Sequence, residues 1–466
     1  MKRHGVPTIF AIFGVTGDLA QKKIFPALMD LYTKKLLPEK FSITGIARRD
    51  LTPEQFKDFV REAILKKKEY APETLNSFLD NIQYSQGQFD EKETYEQSKE
   101  LFNTIDTKWG QCSNKLFYLS VPPVLYENIL KQLSESGLSK PCDDENGWTR
   151  VLIEKPFGKD VVTAQKLDML LGKLFKEEQI YRIDHYLAKQ TLQNIMAFRF
   201  SNTIFEPLWN RKHVEKIDIN LFENNTAEGR GAFYDANGAL RDVGQNHLLQ
   251  MMALIAMEQP TSLHCPLVRK ERGRVFKQLK RARESDVLRA QYKGYRETEG
   301  VPDDSQTETY FSLVAYLQNR RWKNVPFNLK SGKALNKSQV QITVHFKDET
   351  PGYFMKKQFP SQECNRITIS IQPEEKISIL FWVKTPGFED AVEPKELSFS
   401  FHDESSEHID AYEKVLFDCI SGDQTSFIDT EEVLYSWKYI MGVKEVIEKT
   451  TLHEYEVGAD PEDIKA

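Results

Sequence analysis

The chain has 466 residues, of which 40% are hydrophobic and 28% are charged, and its 69 acidic and 63 basic residues give a net charge of −6. This length predicts roughly two to three domains of about 100–200 residues each. The charge balance argues against a nucleic-acid-binding protein, and no apolar run approaches the roughly 18 residues that span a bilayer. Five scattered cysteines without metal-ligand spacing argue against a disulfide framework and a metal site, and they predict a reducing, cytoplasmic location.

Strands and helices alternate in the first third of the chain. A β-branched and aromatic run ends at Gly14, and helical spacing of leucine and isoleucine follows from about Asp18 to Leu36. This alternation predicts a Rossmann-like, doubly wound parallel sheet. The predicted strands are Thr8–Phe13, Phe41–Ala47, Lys115–Val121 and Val151–Ile153.

The pattern changes after about residue 180, where apolar and polar residues alternate with a period of two. Such strands have one buried and one solvated face, which is typical of an antiparallel sheet. We therefore predict a dinucleotide-binding domain over residues 1–183 and a larger α+β domain over residues 184–466. The second domain is predicted to contain the helix Ala239–Met257 and the strands Val214–Phe222, Val340–Phe346, Ile367–Ile371 and Leu397–Phe401.

A glycine-containing turn follows the first strand and begins a helix. Gly14 and Gly17 would let the backbone approach a pyrophosphate, which the helix N-terminus holds through free N–H groups. The GxxGxxA spacing is equally compatible with an ordinary βα turn. The second strand ends in Arg48 and Arg49, where an NAD enzyme would carry an acid. Two guanidinium groups there favour the 2′-phosphate of NADP, although surface arginines are the commoner explanation of such a pair.

Three further stretches combine ionisable residues. Lys155 follows a buried strand, where open α/β sheets bind ligands. If Asp184 begins a helix, His185 and Lys189 lie on one face and form a cradle for a phosphate monoester. His247 begins an apolar helix beside Asp242. Each stretch alone has a more ordinary interpretation: a loop, a helix-capping aspartate and a buried structural histidine.

Together, these stretches resemble the glucose-6-phosphate dehydrogenase family from about residue 8 to about residue 460. The resemblance rests on five segments in the family's order and spacing, of which Arg182–Leu187 and Arg241–His247 are the most specific. The five segments are Gly14–Leu28, Glu154–Gly158, Arg182–Gln190, Arg230–His247 and Val325–Leu335.

The resemblance implies oxidation of glucose 6-phosphate at C1 to 6-phosphoglucono-1,5-lactone with hydride transfer to NADP, the first step of the oxidative pentose phosphate pathway. It implies that His247 takes the proton of the C1 hydroxyl and that Asp184 orients His247. His185, Tyr186 and Lys189 would hold the 6-phosphate. The other implied substrate residues are Lys155, Glu223, Asp242, Lys333 and Gln372. The implied coenzyme residues are Gly14, Gly17, Asp18, Leu19, Lys23, Arg48, Arg49, Tyr118, Ser120, Pro122 and Lys155.

Several positions depart from the family pattern. Ala188 and Gln190 stand where glycine and glutamate are usual, so we expect altered substrate affinity at most. Lys330, Gln339 and Ser370 stand where some members bind a second, structural NADP, and we do not predict that site. The resemblance also implies a homodimer or a dimer of dimers, joined through the antiparallel sheet. The alternatives are another hexose 6-phosphate or free glucose as substrate, NAD as coenzyme, and a non-catalytic NADPH-binding regulator.

Overall fold

The computed structural model of the chain describes residues 5–142, 147–263, 265–347, 364–388, 392–400 and 409–465. Its strands are β1 Thr8–Phe13, β2 Phe41–Ala47, β3 Ile82–Gln86, β4 Asn114–Leu119, β5 Thr149–Ile153, β6 Ile180–Ile183, β7 Val214–Phe222, β8 Val287–Tyr292, β9 Tyr310–Ala315, β10 Phe327–Gly332, β11 Gln339–Phe346, β12 Arg366–Gln372, β13 Lys376–Lys384, β14 Val392–Ser400, β15 Phe427–Ile428 and β16 Leu452–Tyr455.

The α-helices are α1 Phe25–Thr33, α2 Pro53–Leu65, α3 Pro72–Leu79, α4 Lys92–Trp109, α5 Tyr126–Glu135, α6 Val161–Leu174, α7 Gln190–Phe200, α8 Gly231–Asp235, α9 Leu249–Ala256, α10 Cys265–Lys277, α11 Ala411–Ser421 and α12 Thr430–Ile447. Two π-helical segments, Ala20–Ile24 and Leu240–Leu248, precede α1 and α9. Within the described ranges, the helices are too short or too polar to cross a membrane.

The chain divides into two compact units. The first contains Met1–Ala188, His264–Pro266 and Ile409–Val433, and the second contains Lys189–Leu263, Leu267–His408 and Leu434–Ala466. The first unit therefore includes a late segment that carries α11 and β15. The predicted domain boundary between residues 183 and 184 stays a prediction.

The first unit is built on a seven-stranded sheet in the order β15-β6-β5-β4-β1-β2-β3. Strands β1 to β6 are parallel, and β15 pairs antiparallel with β6. The order 3-2-1-4-5-6 is that of a Rossmann fold, with its topological switch point between β1 and β4. Every residue of β1, β2 and β4 is buried, as expected for parallel strands with both faces covered. The predicted parallel sheet is confirmed, and β1 and β2 have the predicted bounds.

The second unit is built on a nine-stranded sheet in the order β14-β13-β12-β11-β7-β10-β9-β8-β16. The pairs β7–β10 and β8–β16 are parallel and the others are antiparallel. Burial alternates along β7, which has the predicted bounds, so one face of the sheet packs inward. The predicted α+β domain with a large antiparallel sheet is confirmed, and the two parallel pairs refine it.

One expectation is wrong. Cys112 and Cys142 form a disulfide, although the cysteine count argued against disulfides. Cys112 lies just before β4 and Cys142 precedes β5, and these two strands are parallel neighbours in the sheet. The amino ends of the two strands therefore bring together cysteines that are 30 residues apart in sequence.

Candidate active site

The glycine turn after β1 has the geometry that a close backbone approach requires. Gly14 has φ = +77°, and a Cβ atom there would overlap the backbone carbonyl oxygen of Ser120. The Gly14 N–H donates to the carbonyl of Ile46 at 2.9 Å, and the Gly17 N–H donates to the carbonyl of Gly14 at 3.0 Å. Glycine is therefore needed at position 14 for both its conformation and its contact with the strand end of β4.

Ser120 follows β4 at the switch point between β1 and β4. Its N–H donates to the carbonyl of Phe13 at 3.0 Å, which fixes the two strand ends together. The Ser120 hydroxyl is inaccessible to water and has no hydrogen-bond partner among the described residues. An unsatisfied polar atom at the carboxyl end of the sheet fits a site that receives a ligand group. Pro122 is exposed two residues further on.

The predicted 2′-phosphate residues lie at the carboxyl end of β2. Arg48 and Arg49 are exposed, and neither has an acidic partner within the part of the chain that the structure describes. The Tyr84 hydroxyl donates to the carbonyls of Ala47 and Arg49, so the backbone of this turn is fixed while the guanidinium groups are available. In the coenzyme-side helix, Asp18 forms a salt bridge of 2.8 Å with Lys22, which lowers the pKa of Asp18. Leu19 is partly buried, and Lys23 is 3.7 Å from Asp410.

A buried glutamate lies directly before Lys155, at the end of β5. The Tyr118 hydroxyl donates to Glu154 Oε1 at 2.6 Å, and the Tyr126 hydroxyl donates to the Glu154 carbonyl at 2.9 Å. Burial raises the pKa of Glu154 to about 7, although Tyr118, Lys155 and Tyr412 partly oppose that rise. An acid that titrates near neutral pH, beside a predicted substrate lysine, is typical of an active site. Tyr118 is fully buried, so its hydroxyl contacts Glu154 from the interior of the unit.

The segment from Asp184 to Lys189 is not a helix, which corrects one prediction. After β6 the chain turns, and α7 begins only at Gln190 with Lys189 as its preceding cap residue. His185 and Lys189 are therefore not paired one helical turn apart. The Asp184 carboxylate instead accepts the N–H of Tyr186 at 3.0 Å, and this bond holds the segment in a turn because it competes with helical bonding.

Asp184 and the rings that follow it are well packed within the first unit. Asp184 is 1% exposed. The His185 ring stacks on Tyr412 at 6.0 Å and lies 5.0 Å from the ring of Tyr186. Ala188 is buried in the hydrophobic core of the unit, so its methyl group packs inward. The ring of Tyr412 therefore fixes the plane of the His185 imidazole and so the directions of its two nitrogen atoms.

The predicted base lies in the second unit, in the π-helical segment before α9. His247 is 3% exposed, and its backbone N–H donates to the side-chain oxygen of Asn246 at 2.6 Å. Asn246 Nδ2 donates to the carbonyl of Asp242 at 2.9 Å, and Gln245 donates to Ser436 at 2.9 Å. This segment replaces the first half of the uninterrupted helix expected over 239–257. π-Helical turns occur frequently at functional sites.

A second group of predicted substrate residues surrounds Tyr234 in the same unit. Lys333 Nζ is 2.7 Å from Glu223 Oε2 and 5.3 Å from the centre of the Tyr234 ring. Burial raises the pKa of Tyr234, and the nearby charges of Asp242 and Glu223 add to that rise. The structure therefore brings Glu223, Asp242 and Lys333 together.

Gln372 lies elsewhere on the sheet. It is the last residue of β12 and lines a polar cavity with Asp218, Asn220 and Gln341. Its predicted contact with a sugar hydroxyl stays a prediction. The pairing of Asp184 with His247 also stays a prediction, because Asp184 belongs to the first unit and His247 to the second.

Known proteins match both units of the chain. The NAD-binding domain of glucose-6-phosphate dehydrogenase matches residues 11–194, and the C-terminal domain of the same enzyme matches residues 196–465. The chain belongs to the glucose-6-phosphate dehydrogenase family. It is accordingly an oxidoreductase whose first domain binds a nicotinamide cofactor.

Individual members of the glucose-6-phosphate dehydrogenase family are similar over nearly the whole chain. Glucose-6-phosphate 1-dehydrogenase of Chlamydia muridarum is 38% identical over 93% of this chain and 89% of its own length. The cytoplasmic glucose-6-phosphate 1-dehydrogenase 6 of Arabidopsis thaliana is 37% identical over 94% of this chain and 85% of its own length. A solved glucose-6-phosphate dehydrogenase in complex with its substrate is 31% identical, covers 99% of this chain and 97% of that chain, and has a TM-score of 0.90.

The contacts in the first unit identify two further residues to which the sequence alone assigned no role, Glu154 and Tyr412. Glu154 stood inside a recognised motif, and its position at the end of an apolar strand was a usable signal. Tyr412 had no such signal, because its partners His185 and Glu154 are more than 220 residues away in sequence. Burial raises the pKa of Tyr412, so its hydroxyl is a hydrogen-bond donor at neutral pH.

Proposed function

We propose that this chain oxidises glucose 6-phosphate at C1 to 6-phosphoglucono-1,5-lactone, with NADP as the hydride acceptor. One observation carries the proposal: both residues of the expected acid–histidine pair are present and buried, Asp184 at 1% and His247 at 3% exposure. A regulator that only bound the coenzyme would not need to keep both. The family relatives named above support the same substrate.

His247 is the general base of the proposed reaction. It takes the proton of the C1 hydroxyl, which makes loss of hydride from C1 easier. The bound nicotinamide ring supplies the hydride acceptor. Asp184 orients the His247 imidazole and stabilises the imidazolium that forms, as acids do in other acid–histidine pairs. Asn246 fixes the backbone at His247, so the base is held before the substrate arrives.

The first unit supplies the coenzyme residues in this proposal. Gly14 allows the pyrophosphate to approach the backbone, and the partnerless hydroxyl of Ser120 at the switch point accepts or donates to the bound group. Arg48 and Arg49 bind the 2′-phosphate through charge-assisted hydrogen bonds. Because both are exposed and carry no acidic partner among the described residues, their charge is available to NADP.

The substrate is held at both ends. His185, Tyr186 and Lys189 bind the 6-phosphate in this proposal, and the stack of His185 on Tyr412 limits the ring's motion. Lys333 and Glu223 form an ion pair of 2.7 Å. In the proposed complex, hydrogen bonds from these two side chains to sugar hydroxyls replace part of that ion pair.

We also infer a cytoplasmic homodimer or dimer of dimers formed through the second sheet. The outer strands β13 and β14 expose apolar side chains: Leu397 is 64% exposed, Phe399 45% and Phe381 40%. An exposed apolar strand at a sheet edge is stabilised when another chain covers it. The cytoplasmic Arabidopsis relative supports the location, whereas the disulfide between Cys112 and Cys142 removes the cysteine argument for it.

The test is an absorbance assay of NADPH formation by the purified protein. Glucose 6-phosphate with NADP is expected to give rapid turnover, while glucose with NADP and glucose 6-phosphate with NAD are expected to be much slower. A rapid reaction with NAD would overturn the role of Arg48 and Arg49 and retain the substrate. Folded protein that binds NADPH but oxidises neither sugar would contradict the proposed activity.

A further inference from the structure

A cavity of about 1090 Å³ lies in the second unit, beyond the residues used in the proposed reaction. It is lined by the last turn of α7, the segment before β7, the segment after α9, and residues around Arg320. Lys189, the predicted phosphate ligand, precedes α7, and Arg199 lies ten residues later on the same helix. At the α-helical rise, that separation is about 15 Å. The cavity is therefore separate from Lys189.

Positive charge dominates the lining of this cavity, although the chain as a whole is acidic. Six cationic side chains line it against two carboxylates, those of Glu206 and Glu258. The six are Arg199, Arg211, Lys212, Arg320, Arg321 and Lys347. A concave surface lined by one sign of charge concentrates ligands of the opposite sign.

Two of the six cations have structural partners that use both carboxylates. Arg199 is fully buried, lies 3.2 Å from Glu206, and donates to the carbonyls of Leu254 and Met257. Arg321 lies 2.5 Å from Glu206 and 2.7 Å from Glu258. These two arginines and the two glutamates offset each other in charge, and Arg199 also satisfies carbonyls at the end of α9. Fold stability accounts for this half of the lining.

The remaining cations are not explained by the fold. Lys347 donates to the carbonyl of Arg211 at 2.8 Å, but it has no carboxylate partner among the described residues. The side chains of Arg211, Lys212 and Arg320 have neither hydrogen-bond nor ion-pair partners in the described ranges. Four positive charges therefore remain around one cavity. Beneath them, the buried Nε of Arg199 also has no acceptor within the described part of the chain.

We propose that this cavity binds a small metabolite that carries two or more linked phosphate groups. A diphosphate or triphosphate has three to four negative charges, which matches the four uncompensated cations. Guanidinium groups bind phosphate oxygens in pairs, and two of the four cations are arginines. The volume is slightly above the usual range of small-molecule sites, so a nucleotide is accommodated as well as a bare polyphosphate.

The test is isothermal titration calorimetry with inorganic pyrophosphate and, separately, with magnesium-free ATP. The full-length protein is first saturated with glucose 6-phosphate and NADPH, which fills the catalytic phosphate sites without turnover. Sodium sulfate at equal ionic strength is the control for general anion binding. We expect saturable binding of pyrophosphate, and tighter binding of ATP would indicate that a base also contacts the cavity.

The matched variants are Arg211→Glu/Arg320→Glu and, as a control, Lys323→Glu. All three positions are exposed, and Lys323 does not line the cavity. The double variant is expected to weaken pyrophosphate binding at least tenfold, whereas Lys323→Glu binds like the wild type. The milder Arg211→Gln/Arg320→Gln should give a smaller loss in the same direction. Binding no stronger than that of sulfate, or equal binding by the wild type and the double variant, would overturn the proposal.

Discussion

The Tyr118 hydroxyl donates a 2.6 Å hydrogen bond to the carboxylate of Glu154 in the interior of the first unit. This bond joins the ends of two neighbouring parallel strands, β4 and β5, at the carboxyl edge of the sheet, directly before Lys155. The proton on Glu154 is therefore linked both to the stability of the fold and to the charge beside Lys155.

Glu154 gives the protein a stability that depends on pH. Its folded-state pKa of about 7 lies above the ordinary value of 4.5, so folding takes up a proton between these two pH values. The wild type consequently loses stability as pH rises from about 4.5 to 7, by up to about 3 kcal/mol. Glu154→Gln removes this titration and keeps an acceptor for Tyr118. In urea denaturation, the advantage of the variant over the wild type should grow between pH 5 and pH 8. A constant difference across that range would contradict the assignment.

Gly14→Ala should impair both folding and coenzyme binding. The new methyl group meets the carbonyl of Ser120 at a residue with φ = +77°, so we expect a loss of at least about 2 kcal/mol of stability. Gly110→Ala is the matched control: its φ is +69°, but nothing lies within 4 Å of the added atom. The control should lose about 1 kcal/mol and bind NADPH normally. Equal effects of the two substitutions would show that the contact with Ser120 is unimportant.

Arg48→Glu should change the choice of coenzyme. The substitution removes a charge-assisted hydrogen bond and adds repulsion toward the 2′-phosphate, which predicts a roughly 10–100-fold lower kcat/KM for NADP. The value for NAD, which lacks that phosphate, should stay the same or rise. NAD thus serves as an internal control in the same protein sample. A parallel fall for both coenzymes would point to damage to the turn itself.

The disulfide between Cys112 and Cys142 should stabilise the first unit. It closes a loop of 30 residues, for which the loss of chain entropy in the unfolded state predicts about 3.6 kcal/mol. Dithiothreitol is expected to lower the Tm of the wild type and leave that of Cys112→Ser/Cys142→Ser unchanged. Cys419→Ser, at a buried cysteine outside the disulfide, should respond to dithiothreitol like the wild type. An equal shift in the double variant would mean that the bond does not form in solution.

Much of the fold was predictable because its signals are local. The strand β1 is a continuous apolar run that ends at a glycine, and its bounds follow from that pattern alone. In β14 the predicted strand began at Leu397, whereas the structure starts it at Val392. Both faces of that strand are exposed, so its first residues lack the alternation on which the prediction depended. Phe401, the predicted end, lies outside the described residues.

The candidate site likewise contains residues that could be predicted from local sequence and residues that could not. Gly14 and Arg48 lie within a βα turn and a strand end whose chemistry is visible in a few consecutive residues. The stack of Tyr412 on His185 and the disulfide at Cys112 join segments that only the folded chain brings together. The helix at Asp184 was predicted from spacing, but the carboxylate bonded to the backbone of Tyr186 instead. Local competition of this kind is not visible in a periodic pattern.

His247 is the central residue of the proposed reaction, and its replacement by asparagine tests its role as the base most directly. Asn keeps a polar side chain of similar reach but cannot accept a proton at neutral pH. We predict that His247→Asn lowers kcat by at least about 10³-fold, in line with the loss of a general base, while calorimetry gives a Kd for glucose 6-phosphate within a few-fold of the wild type. A variant that binds glucose 6-phosphate and still turns over at the wild-type rate would contradict the assignment of His247 as the base.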